Sequence, residues 1–583
     1  MIKKDAGHRT QDAEAEKLGR WVGASLLAAW GVALVSGGAK AGVSLRIVEV
    51  LTLGALAAWL FRGGGLPKGP WTAPLAGFCL WLPVNLLSPG PAVPRLEALN
   101  HVASLLAFFI AARAVWGCEE RRFFELSIFA AAIVSAALIP LQARAGESLV
   151  GFLPDNPNFS AGLLVAAILL GLPRLKERPA LHGGLLFFFL YALSLQKSRG
   201  AWLALVTGAL FLAHSWKGAR AAAAAGGALV LWGLAIPGNY FYDLSKLQEG
   251  FSGLARLDLW GSAIRAIGEE PMTGWGAGQF ERGFLLHPTA HPEALFRYER
   301  LTRFAHSGPL QIAAELGLPS LFFLSWAVWR LWRSARGPVA LRAAFLACLV
   351  QGSVDMAFSF PLLQLLWLGL AAGLEPAEVP RPAPRAAWSP KATAAALALA
   401  ALFAGAGPLM ARAGLLSDPR GPARRAAALH DEGRPPAGSE TRRAEGNHRR
   451  ALALDPGNAW LWQEWAHFLA WHTPPPRWGE ALFAYDQAKA LNPFHAPLFL
   501  LAGELAFAHH DAVRAEHEFR ACIKLEPRAL RAWRGLERAL DAQGRKSEAR
   551  RLRLALKALE RRIREVRAAP LSNYARSLLG FVL

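Results

Sequence analysis

Residues 239–280 read NYFYDLSKLQEGFSGLARLDLWGSAIRAIGEEPMTGWGAGQF, and residues 303–320 read RFAHSGPLQIAAELGLPS. The first stretch and the His- and Arg-rich segment after it make a polar loop over 238–305. The second closes that loop on the start of an apolar helix. On either side the chain is one apolar run after another, most of them near bilayer length. A large polar loop amid such runs is a place where a membrane protein can hold a polar substrate.

The chain has 583 residues, of which 53% are hydrophobic and only 18% charged. Soluble domains carry about 25% charged residues, so the composition indicates a membrane protein. The formal net charge is +21. The cations sit in short clusters between apolar runs, which fits anchoring at an anionic membrane face and not a nucleic-acid partner. Cys79, Cys118, Cys348 and Cys522 are scattered, with neither metal-ligand spacing nor a disulfide framework. The first 20 residues are polar and form an expected cytoplasmic tail, and the apolar segment from Trp21 reads as a retained first helix.

Apolar runs fall near 21–36, 43–61, 71–87, 98–115, 123–141, 158–173, 182–197, 200–214, 221–237, 306–329, 338–354, 357–373 and 391–411. The expected fold is therefore all-α: a polytopic membrane helix bundle of about 12–13 spans over 21–411. Alternate loops carry clusters such as Arg113, Arg121 and Arg122, or Arg330, Arg333 and Arg336. This positive-inside bias places the N-terminus in the cytoplasm and the 238–305 loop outside. With thirteen spans the chain after 411 is outside too.

That tail is a separate unit. Residues 412–445 read as a linker, 446–565 as repeats and 566–583 as a C-terminal tail. Ala451-Leu452-Ala453-Leu454-Asp455-Pro456 is echoed by Ala488-Lys489-Ala490-Leu491-Asn492-Pro493 and by Ala521-Cys522-Ile523-Lys524-Leu525-Glu526-Pro527. Small residues at helical spacing let paired helices approach, and each proline stops the second helix of a pair. The pattern resembles tetratricopeptide repeats, an α-solenoid whose groove normally serves protein partners.

Several groups can carry chemistry. Arg199, in Gln196-Lys197-Ser198-Arg199-Gly200, offers a planar fork suited to a pyrophosphate, or snorkels to lipid headgroups as an ordinary interfacial arginine. Arg256, Asp258 and Arg265 lie on 252–270, where Leu254, Leu257, Trp260, Ile264 and Ile267 recur at helical spacing. The turn Gly274-Trp275-Gly276-Ala277-Gly278 lacks the Lys-Ser/Thr of a phosphate-binding loop and fits close approach of backbone to a helix end or substrate. His306 and Ser307 stand at a helix start, where a neutral imidazole can accept a hydroxyl proton or simply cap the helix. Glu315, deeper in the same helix, needs a partner: an arginine or a backbone group. His287 and His291 lack a third convergent ligand, so no metal site is expected.

Three stretches resemble the O-antigen ligase and polymerase superfamily. They are Asp155-Asn156-Pro157-Asn158 through Ser198-Arg199-Gly200-Ala201-Trp202, Arg256 through Gly278, and Ala305-His306-Ser307 through Ala314-Glu315-Leu316-Gly317-Leu318-Pro319. Ser307 stands where that family usually has Asn, and Ser320 where Gly is common. The resemblance implies a membrane glycosyltransferase of the bacterial inner membrane, working at its periplasmic face. It would be inverting, with no metal or other cofactor, and would move a glycan from undecaprenyl pyrophosphate to an acceptor hydroxyl. Arg199 and Arg256 resemble pyrophosphate ligands, with Arg265 and Arg303 as further cations, and His306 resembles the acceptor-activating residue. Glu315, Ser307 and Asp258 are supporting groups. The implied acceptor is a glycan, lipid A-core or a protein, in O-antigen or exopolysaccharide assembly. A non-catalytic scaffold would explain the repeats but leaves Arg199, Arg256 and His306 unrelated. A transporter predicts internal repeats and broken spans.

Overall fold

The computed structural model describes residues 2–36, 38, 42–61, 65–88, 90–153, 156–235, 251–287, 302–356, 359–375, 438–473 and 475–568. The expected last span at 391–411, most of the linker, the tail after 568, and 238–250 and 288–301 of the loop lie outside them. The side chain of Asp258 does too. Among the described residues the fold is all-helical, as expected of a chain built from apolar runs.

The membrane part comprises α1 (Ile2–Val35), α2 (Gly42–Phe61), α3 (Thr72–Trp81), α4 (Ala92–Val115), α5 (Cys118–Ala145), α6 (Pro157–Gly171), α7 (Pro179–Gln196), α8 (Arg199–Lys217) and α9 (Ala219–Ala235). After the loop come α12 (Gly308–Leu316), α13 (Leu318–Ser334), α14 (Val339–Val354) and α15 (Pro361–Ala372). The polar 2–20 segment and the first apolar run form one continuous helix. Six helices among the described residues are long and apolar enough to cross a membrane, in α1, α2, α4, α5, α6 and α7. Thr72–Leu87, Val339–Val354 and Pro361–Ala372 are shorter apolar helices. α6 is the axial element: every residue from Phe159 to Gly171 is buried. Because lipid tails are as apolar as leucine, side-chain packing and interhelical polar contacts hold such a bundle together, more than expulsion of water.

One pair of neighbouring apolar runs is parted and one single run is broken, each for a local reason. Residues 182–214 bend at Lys197, whose φ of 56° lies in the left-handed region that ends a helix. Ser198 then starts α8, its Oγ accepting from the Ala201 N–H at 3.3 Å. The run over 306–329 is two helices, α12 and α13, parted at Gly317 with φ 84°. The loop 271–278 clasps that break. Leu318 N–H donates to Pro271 O at 2.8 Å, Trp275 N–H to Ala314 O at 2.8 Å and Gly276 N–H to Glu315 O at 3.1 Å. These bonds take up backbone groups that a broken helix leaves open. A methyl group on Gly317 would sit 1.9 Å from Met272 O, and one on Gly274 would sit 2.5 Å from Glu315 O. The glycine-rich turn therefore serves close approach of backbone to a helix end.

In the loop itself, α10 (Phe251–Glu269) and α11 (Phe280–Leu286) pack on α12 through Leu259, Ala263, Phe280, Phe284 and Ala314. The tail is a run of packed helices: α16 (Gly438–Leu454), α17 (Ala459–Trp471), α18 (Trp478–Leu491), α19 (Ala496–Ala508), α20 (Ala512–Leu525), α21 (Leu530–Ala542) and α22 (Lys546–Ala568). Pro456, Pro493 and Pro527 each fall in the turn after a helix end. The small residues Ala466, Ala481, Ala488 and Ala515 are buried with Tyr485 and Phe519 in a core of their own.

Candidate active site

Five helix ends converge beside the loop. Asn156 caps α6, its Oδ1 accepting from the Asn158 N–H at 2.9 Å, and Pro157 presets the first turn. This aims Asn158 outward, where its Nδ2 donates to Asp355 Oδ2 at 2.7 Å. Gln351 Nε2 donates to Asn158 O at 3.1 Å, so α6 and α14 share one junction. Asp355 follows the last residue of α14, and its side chain is fully buried. On the same oxygen it accepts from the Arg256 guanidinium of α10 at 2.9 Å. The α8 start closes the third side: a methyl on Gly200 would lie 3.3 Å from Asp355 Oδ2. Arg199, the first residue of α8, thus enters at the level of this carboxylate.

His306 lies just before α12, outside the helices, with φ 53°. A non-glycine residue in the left-handed region is uncommon, and such strain concentrates at functional positions. Its carbonyl accepts from Trp260 Nε1 at 3.3 Å, tying it to α10 one turn beyond Arg256. Burial holds the imidazole below the ordinary histidine range; Asp355 opposes this and Arg256 adds to it. The ring is therefore neutral at pH 7 and can take a proton.

A cavity of about 430 Å³ opens at His306, lined also by Glu281, Thr302, Arg303, Phe304, Met356 and Trp460. Arg303 is exposed, its Nε 3.6 Å from Glu281 Oε2. Burial raises the Glu281 carboxyl above the usual carboxylate range, with Arg303 and the Trp460 indole opposing.

The sequence-derived candidates separate accordingly. Arg256 and His306 come together around Asp355, with Arg199 at the adjoining helix start, and Arg303 shares the His306 cavity. Arg265 does not join them. It is exposed and nine residues from Arg256, about two and a half helical turns, hence on the opposite side of α10. Among the described residues Glu315 holds a backbone group and an amide: its Oε1 accepts from Phe280 N–H at 3.2 Å and from Gln311 Nε2 at 2.8 Å. Gln311 in turn receives the Ala305 N–H at 2.6 Å, so Glu315 braces the turn that carries His306. Ser307 is the buried N-cap residue of α12 but makes no side-chain cap bond. His287 lies 3.5 Å from the exposed carboxylate of Glu269.

Sequence reasoning named Asn158 only within a family-like stretch, with no role, and did not single out Asp355, Glu281 or Trp460. Asp355 carries a signal all the same, as a lone acid between two apolar runs, where an ionised group is costly unless it has a task.

Fold and site together define a polytopic helical membrane protein with a cationic, histidine-bearing centre beside a polar loop. Residues 184–325 match the family model described as O-Antigen ligase. This match supports a place in the O-antigen ligase and polymerase superfamily and a function of that general type. The matched stretch holds Arg199, Arg256 and His306, whereas Asp355 and Asn158 lie outside it. No curated protein matches the chain.

Proposed function

We propose that this protein transfers a glycan from an undecaprenyl-pyrophosphate donor to an acceptor hydroxyl at the periplasmic face of the inner membrane. The observation that carries the reading is the junction at Asp355, which sets Arg256 beside the α8 start and next to a neutral His306. Arg256 and Arg199 hold the donor pyrophosphate. The acceptor oxygen attacks the anomeric carbon opposite the leaving group and yields its proton to His306. The bond from that carbon to the phosphate oxygen breaks, and undecaprenyl pyrophosphate departs with the bonding pair. Attack from the opposite face inverts the anomeric centre. Guanidinium groups placed where charge gathers stabilise the departing pyrophosphate, and no metal is required for that.

The repeats and the loop share one side of the bundle, since Trp460 and His306 line one cavity. This supports placing the repeats in the periplasm and suits O-antigen or exopolysaccharide assembly. A transporter is the reading that the break at Gly317 would favour. The backbone groups freed there are, however, bonded to the 271–278 loop and so unavailable to a permeating substrate.

The test is transfer by purified variants in lipid, normalised to folded protein. Arg199→Ala and Arg256→Ala should each lower the rate about 100–1000-fold, the range for a lost oxyanion donor. Lysine should rescue only in part, because it lacks the fork. His306→Ala should depress turnover while donor binding persists. Wild-type transfer by both arginine variants would defeat the assignment.

A further inference from the structure

The cavity at His306 has a wall that the membrane domain does not supply. Trp460 belongs to α17, the first helix after the Pro456 turn, and lines the same space as Arg303, Phe304 and His306. Contact at the adjoining turn fixes this placement: a methyl on Gly457 would lie 3.6 Å from Gly90 O and 3.7 Å from Pro91 Cα.

From Trp460 a stripe runs along α17. Positions 460, 464, 467 and 471 fall on one helical face and carry Trp460, Glu464, His467 and Trp471. Trp460 is 36% exposed and Trp471 42%, and His467 is exposed. Such exposure is high for the residue type whose burial a fold gains most from. The stripe extends sideways at its far end, where Trp471 meets Trp478 edge-on at 5.8 Å and Trp478 stacks on His509 at 5.8 Å. Over eleven residues it covers about 16 Å, enough for an oligosaccharide. A groove for a protein helix would present aliphatic knobs, but Leu, Ile, Val and Met are absent from these four positions. Flat rings on either side of a carboxylate and an imidazole suit a sugar chain, whose C–H faces pack on aromatic faces while its hydroxyls take hydrogen bonds.

We infer that α17 is a glycan-binding track, which leads from the His306 cavity at Trp460 out to Trp471 and Trp478 and holds the glycan beyond the reacting unit. The ligand class, a polyhydroxylated saccharide chain, rests on the transfer function proposed above. Because the near end shares the cavity and the far end does not, the two tryptophans differ in what they touch. Trp460 meets the first sugars, and Trp471 only those further along.

The experiment uses the full-length protein in lipid nanodiscs. The probes are surface-polysaccharide fragments of the source cells, released by mild acid and sized into single repeating units and longer oligomers. Trp471→Ala should weaken binding of the oligomers about ten-fold, the scale of one lost aromatic contact, with little change for the single unit. Trp460→Ala should weaken both. Trp471→Phe should retain oligomer affinity, and His467→Ala should shift it in the same direction as Trp471→Ala. A misfolded variant would lose both fragment classes alike, so length dependence in Trp471→Ala or His467→Ala supports the track. The proposal is overturned if wild-type protein binds no fragment, or if oligomer affinity is unchanged in Trp471→Ala and His467→Ala. It is also overturned if those variants instead lose a co-purifying protein. Trp471-dependent oligomer binding without any transfer by the wild type would leave the track standing and remove the enzyme reading. Transfer without Trp471-dependent binding would do the reverse.

Discussion

Asp355→Asn separates a positioning role from bulk stability. The carboxylate accepts from Asn158 at 2.7 Å and Arg256 at 2.9 Å on a single oxygen, with its side chain fully buried. Asparagine keeps the shape and one acceptor oxygen but removes the charge. A hydrogen bond to a charged group is worth about 1 kcal/mol more than a neutral one, so two weakened bonds cost about 1–2 kcal/mol of local stability. Activity should fall further. Arg256 depends on Asp355 for its aim, and a displacement of about 1 Å costs on the order of 100-fold in rate, or about 2.7 kcal/mol. The assay is glycan transfer by the purified Asp355→Asn and Arg256→Ala variants and their combination. If Asp355 acts through Arg256, its replacement should change little once Arg256 is alanine, giving a coupling of about 2 kcal/mol. Additive losses would refute the reasoning and give Asp355 a task of its own. Asp355→Glu should not rescue, because the longer side chain pushes toward Gly200 and the α8 start.

Three shorter predictions accompany it. His306 must be neutral to accept a proton, and its imidazole is held below the ordinary value of 6.5. Transfer should therefore stay on its plateau at pH 7 and fall only below pH 6.5; a rate limb centred above that value contradicts the assignment. With guanidinium groups supporting the leaving group, transfer should survive EDTA, and restoration by magnesium after loss would count against the scheme. Gly317→Ala combines a left-handed backbone with a methyl 1.9 Å from Met272 O. It should destabilise the protein by about 2 kcal/mol or more, read as a lowered Tm with reduced yield.

The helices of the bundle were legible because an apolar run of bilayer length has few other ways to satisfy its backbone. α10 was legible from Leu257, Trp260, Ile264 and Ile267, and the repeat turns from their spaced prolines. The break at Gly317 was hidden, because the residues around it are as apolar as those of an unbroken span. What opens it is the approach of Pro271 and Thr273, forty-odd residues upstream. Of the site, Arg256 and His306 stood out as charge and imidazole beside apolar helices. Arg265 looked equivalent to Arg256 in composition, and only its angular position on α10 separates them. Asp355 escaped because its partners, Asn158 and Arg256, are distant in sequence and meet only in the folded chain. Trp460 escaped because it lies in the tail, more than 150 residues beyond the His306 whose cavity it lines.

The clasp between the 271–278 turn and the end of α12 also bears on how this region can be altered by recombination. Five backbone and side-chain bonds join the 251–287 segment to the 302–318 segment, through Leu318–Pro271, Trp275–Ala314, Gly276–Glu315, Phe280–Glu315 and Trp260–His306. A graft that brings a foreign segment 251–287 without 302–318, or the reverse, severs all five at once. The smallest exchangeable module therefore spans both sides of the 288–301 segment. Crossover points belong before α10 and after Leu318, never between the arginine and the histidine.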